Sequence, residues 1–114
     1  MKKIILLSLI FLFCAINVFA DRDTATVSGY SSSQLIKRGD AKIYSISFVA
    51  TSNGGNFVIY DALTETKTLP EVKAEGSEAT ANNSQYQDFT QKPLEFSTGL
   101  YLAISNGYII ISYE

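Results

Sequence analysis

The chain has no histidine and no tryptophan, one cysteine and two prolines among its 114 residues. Without histidine there is no Ser-His-Asp or Cys-His nucleophile system, and most general-base hydrolysis near neutral pH goes with it. The one cysteine, Cys14, sits in an apolar run close to the N-terminus. The chain beyond residue 20 therefore lacks the two ligand types that zinc and copper sites favour. It also has no disulfide to supplement a small core, as many exported domains do. Phe13 is too large for the position before a lipid-bearing cysteine. Gly-x-Gly-x-x-Gly, phosphate-loop and Asp-x-Asp-x-Asp-Gly patterns are absent, and so is any fixed-period repeat.

What is there begins with an export leader. Lys2 and Lys3 form a positive start, residues 4–16 are almost unbroken apolar, and Val18-Phe19-Ala20 puts small residues at −3 and −1 of a cleavage site. The run is too short and wrongly flanked for a membrane span, which needs about 20 apolar residues. The sequence thus predicts a signal peptide over residues 1–20, cleavage after Ala20, and a secreted or periplasmic domain over residues 21–114. Losing Lys2 and Lys3 takes the basic count from 9 to 7 against 11 acids, so the net charge moves from −2 to −4. An acidic chain with no basic cluster excludes nucleic acid and anionic membrane surfaces as expected partners. Its length suits one domain with a modest core.

The rest reads as short strands between turn clusters, with no helical period in any long segment. Strands are expected over residues 24–30, 41–51, 56–62, 69–74, 86–90 and 94–97, with a closing pair over 99–105 and 108–113. Residues 31–40 read as a polar connection, and residues 76–84 read as a loop. In the strand at 41–51, Tyr44, Ile46, Phe48 and Ala50 share one face, and Ser45 and Ser47 lie opposite with Ile43 and Val49. Asn53-Gly54 and Asn106-Gly107 are strong hairpin signals, because type I′ turns demand positive φ at both central residues. Closing the second hairpin pairs Ile104 with Ile109, Leu102 with Ile111 and Leu100 with Tyr113. Phe48, Phe57, Ile59, Leu100, Leu102, Ile104, Ile109 and Ile111 are the expected core. Seven or eight strands with this spacing predict an all-β, antiparallel β-sandwich of jelly-roll or immunoglobulin-like type, with a closed barrel as the alternative.

Carboxylates are the remaining source of catalysis. A glycosidase needs two, roughly 5 to 10 Å apart, and Asp61, Asp88 and Glu95 are the candidates. Their positions fit structural roles better: a turn cap for Asp61, a solvent face for Asp88, and an extended piece beside Pro93 for Glu95. Glu71, Glu75 and Glu78 read as a solvated acidic edge that discourages aggregation. Arg38-Gly39-Asp40 spells an adhesion tripeptide, but Gly-Asp also suits a turn before the next strand. Asn82-Asn83-Ser84 is a glycosylation acceptor pattern that matters only in a eukaryotic secretory pathway, whereas the Met-Lys-Lys start is of bacterial type.

Aromatic residues carry the functional signal. Seven tyrosines follow the leader. In the terminal hairpin, Tyr101, Tyr108 and Ile110 fall on the face opposite the core stripe. Such a face serves a protein interface, where tyrosine is enriched, or stacks on sugar rings with Asp61 or Asn106 as polar partners, or lies under a second sheet or loop. Lack of tryptophan weighs against sugar, since indole is the better stacking platform.

Three pieces share one order: residues 39–48 as a strand, then Gly54-Gly55 opening a strand that ends in Tyr60-Asp61, then Gly99-Leu100-Tyr101 opening the last pair. This order resembles the small β-sandwich decoration and fibre-type proteins of tailed phages, over about half of the chain after residue 20. The resemblance implies symmetric oligomers, assembly and surface display, and transfers no site residues. The export leader is a departure from it. The expectation is a non-enzymatic, exported structural or display protein without cofactor or metal, whose partner is itself or another surface protein. A small carbohydrate- or ligand-binding module is the alternative.

Overall fold

The computed structural model describes residues 25–65 and 71–114. The leader read over residues 1–20, its cleavage point and the start of the strand expected at 69–74 lie outside the described residues. Among the described residues nine strands form: β1 Thr26–Tyr30, β2 Gln34–Arg38, β3 Ala41–Ala50, β4 Gly55–Asp61, β5 Val72–Glu78, β6 Ser84–Asp88, β7 Leu94–Phe96, β8 Gly99–Ser105 and β9 Gly107–Tyr113. They make two antiparallel sheets. One runs β1-β9-β3-β6, with β7 also paired to β3; the other runs β2-β8-β4-β5. The chain is an all-β sandwich as expected, and two separate sheets replace the barrel alternative.

Both expected hairpins are absent. β3 and β4 lie in different sheets, and so do β8 and β9. The backbone gives the reason. At Asn53-Gly54 only Gly54 has positive φ (77°), and at Asn106-Gly107 only Asn106 does (53°). Neither pair supplies the two positive φ values of a type I′ turn. Each connection instead arches from one sheet to the other. Ile104, expected opposite Ile109, pairs with Phe57 of β4, while Ile109 pairs with Phe48 of β3. Gly107 is needed at the arch because a Cβ there would run into the Phe48 ring. Six of the eight connections between the described strands cross between the sheets in this way.

The core sits between the sheets. Ile43, Ile46, Phe48, Ile109 and Ile111 face inward from one; Phe57, Ile59, Leu100 and Leu102 face inward from the other, all at most 1% exposed. Of the expected core, only Ile104 is half-buried at its edge. Ile43 joins the core against expectation because β3 carries a bulge. Its register to β9 slips between Ile43 and Ser45, so Tyr44 is the extra residue and the side-chain alternation changes phase there. Ala41 and Ile43 before the bulge, and Ile46, Phe48 and Ala50 after it, all point inward. Tyr44 is freed to donate its hydroxyl to Glu114 Oε2 at 2.6 Å.

β2 occupies what reads in sequence as a connection. It also has a register shift, between Leu35 and Lys37, which hides its alternation while Ile36 packs against the core. Arg38, Gly39 and Asp40 form the turn into β3, with Gly39 at φ 82° and its N–H donating to Thr98 O at 2.9 Å. The expected loop at 76–84 shrinks to residues 79–83, since β5 runs on to Glu78.

Candidate functional site

Asp61 closes one end of the sandwich. Its carboxylate accepts hydrogen bonds from the N–H groups of Thr98 (2.9 Å), Ser97 (3.2 Å) and Gly99 (3.3 Å), and from the Ser97 hydroxyl (3.2 Å). Burial pushes the Asp61 carboxyl up, but these donors together outweigh burial and hold it below its ordinary value. Asp88 is fully exposed; the Thr90 N–H (2.9 Å) and hydroxyl (2.7 Å) both donate to it and lower its carboxyl as well. A general acid needs the opposite shift. Two of the three candidate carboxylates are therefore held ionised. The open groove beside Asp61, about 630 Å³, is lined by Lys37, Lys42 and Lys73 against Asp40, Glu95 and Glu114, so neither sign of charge dominates it. Among the described residues, no three acidic side chains converge as a cation-ligating set.

The residues read as one tyrosine face do not come together. Tyr101 stands on β8, in the four-stranded sheet, and Tyr108 and Ile110 stand on β9, in the five-stranded sheet. Alternation along an arch sends them to opposite outer faces of the sandwich, whereas a hairpin would have aligned them. Tyr101 is half-buried in a row with Leu35 and the buried Tyr60. The polar partners separate as well. Asp61 pairs with Leu100 at the start of β8, and Asn106 follows its end, about 20 Å away at 3.3 Å per residue.

What does come together is the outer face of the five-stranded sheet. Pairing across the strands builds three rows: Val27, Ser112, Ser45 and Asp88; Gly29, Ile110, Ser47 and Tyr86; and Tyr108, Val49 and Ser84. Asp88 is the single charge in these rows, and Lys42 and Glu95 pair in a further row of the same face, across β3 and β7. Val27 is 66% exposed, Tyr86 65%, Ile110 42% and Tyr108 41%; Leu63 is the one other large apolar residue so exposed among the described residues. Gly29 makes room for the Tyr108 ring, because a Cβ at Gly29 would collide with the Tyr108 hydroxyl. The tip of the Tyr108 ring therefore lies over Gly29 of β1.

Sequence reasoning identified Tyr108 and Ile110 as outward and missed Val27 and Tyr86. β1 and β6 are short and mostly polar, so no apolar stripe marks which of their faces looks outward. The strand spacing of 4.7–4.9 Å puts Tyr86 roughly 10 Å from Ile110, two strands away. Compared with protein-family models, curated proteins and solved structures, the chain finds no match.

Proposed function

We propose that this protein is a non-enzymatic, exported β-sandwich that works by assembly or surface display, with the outer face of the five-stranded sheet as its contact surface. One observation carries the reading: four large apolar side chains, Val27, Tyr86, Tyr108 and Ile110, stand exposed on one face, away from its charged end at Lys42 and Glu95. Exposed apolar groups scattered singly are ordinary, whereas Val27, Tyr108 and Ile110 lie on neighbouring strands with Tyr86 two strands from Ile110 on the same face, and such clustering marks an interaction surface. Tyrosine with an apolar body and a polar tip suits the centre of a protein interface. The low-held carboxyls of Asp61 and Asp88 and the lack of histidine support a non-enzymatic role. The resemblance to tailed-phage decoration and fibre proteins carries the same expectation of a symmetric oligomer.

Tyr108→Ser tests the reading. Tyr108 contributes to the outer face and not to the core, so the variant keeps its circular dichroism spectrum. Sedimentation velocity is expected to show a lower mass than the parent at equal concentration. An unchanged oligomer removes the face from the interface. A monomeric parent that binds an immobilised glycan panel through Tyr108 replaces assembly with the ligand-binding alternative.

A further inference from the structure

A β-sandwich of two open sheets has four edges, and an unguarded edge templates pairing with another strand. Three of the edges here carry guards. β2 has a bulge at Ile36 and ends in Lys37 and Arg38. β5 has a register shift around Lys73 and carries Glu75 and Glu78. Its outward carbonyls are capped: Gln85 Nε2 donates to Ser77 O and Gln87 Nε2 to Glu75 O, both at 3.2 Å. The edge beyond β3 is broken between two short strands, β6 and β7, with Pro93 and Lys92 before the second.

Among the described residues β1 has no such guard. Its register to β9 is unbroken from Thr26 opposite Tyr113 to Tyr30 opposite Ile109. It ends its sheet, and among the described residues no backbone group bonds to its outward side. It contains neither charge nor proline, and no charged residue occurs between Asp23 and Lys37. In an acidic chain this is the edge where two copies meet without like-charge repulsion.

We infer that β1 pairs antiparallel with β1 of a second copy, joining two five-stranded sheets into one sheet of ten strands across a two-fold axis. This deepens the assembly reading and rests on it. Centring the axis on Ser28 is the register that uses all five residues of both strands. Val27 of each copy then stands beside the side-chain-free Gly29 of the other and against the Tyr108 ring that covers it. The exposed Val27, Tyr108 and Ile110 of the two copies then meet across the axis. Because the remaining edges are guarded, the pairing closes at two copies and does not propagate into a fibre.

The test uses the full chain, expressed and purified as the cell processes it. Val27→Lys keeps the monomer intact, since residue 27 is exposed, but puts a lysine beside each Gly29 at the axis. It is expected to raise the dimer dissociation constant at least about tenfold, with unchanged circular dichroism. Ser28→Cys places two thiols directly opposite each other, at the roughly 4.5–5.5 Å Cα separation of paired strands, which a disulfide spans. It is expected to yield a covalent dimer on mild oxidation, and Tyr86→Cys, on the far strand, is not. A dimer unaffected by Val27→Lys and not captured by Ser28→Cys overturns the edge pairing. If Tyr108→Ser then dissociates that dimer, the assembly reading survives without it. A monomer at every concentration overturns both.

Discussion

Phe48 and Phe57 meet across the core, with ring centroids 5.1 Å apart and planes tilted by 53°, although only residues 51–54 separate their strands. A hairpin would have set the two rings side by side on one sheet. The arch sets them opposite each other between two, where they join the middles of both sheets. Phe57→Ala removes one side of that contact and leaves a cavity. The expected cost is about 3–5 kcal/mol, a large share of the roughly 5–15 kcal/mol that holds a domain folded. Urea denaturation followed by circular dichroism measures it, and a loss below about 1 kcal/mol would show the contact to be incidental.

Gly107 is the tightest point of the second arch. A Cβ there meets the Phe48 ring, so Gly107→Ala either displaces the ring or shifts the arch. The expected destabilisation is about 1–3 kcal/mol, the usual cost of overpacking. Phe48→Leu relieves the collision, so the double variant is expected to lose less than the sum of the single losses. Strict additivity would place the strain elsewhere.

Asp61 gives the domain an acid-sensitive clasp. Its folded carboxyl lies below the ordinary value of 3.8, so the unfolded chain binds the proton more readily. The stability it contributes is complete above that ordinary value and is lost as pH falls through the lower folded value. Asp61→Asn keeps the shape but removes the charge that three backbone N–H groups share. It is expected to cost about 1–3 kcal/mol at neutral pH and to flatten the acid limb of a stability-against-pH curve, leaving the part due to Asp88. An acid limb identical to the parent's would contradict this role.

Gly29 controls the pose of Tyr108. A Cβ at Gly29 collides with the far end of a flexible side chain, not with backbone, so Gly29→Ala is expected to fold. The Tyr108 ring must swing away from β1, and its ring resonances in an NMR spectrum are expected to shift while core resonances stay in place. Unshifted resonances would show that the ring does not lie over β1.

The sequence and the fold agree on faces and disagree on partners, for one physical reason. Alternation of apolar residues says which side of a strand is buried, and Leu100, Leu102, Ile109 and Ile111 are buried as that alternation requires. A hairpin and an arch give the same alternation, because the two strands face the same core either way. Only the φ values at Asn53-Gly54 and Asn106-Gly107 separate them. Bulges hide the rest. Tyr44 shifts the phase of β3, and Ile36 breaks the pattern of β2, so Ile43 and the whole of β2 escape a period-two reading. Asp61 was legible as a turn cap. That its turn lies more than thirty residues away, at Ser97 to Gly99, was not, since no local spacing records a contact between distant segments.

Light scattering on the purified protein across a dilution series tests the central claim most directly. Self-assembly through an apolar face and an open strand predicts a discrete dimeric mass that falls toward the monomer only on dilution. A monomeric mass at every concentration would contradict it and leave Val27, Tyr86, Tyr108 and Ile110 exposed for a different kind of partner.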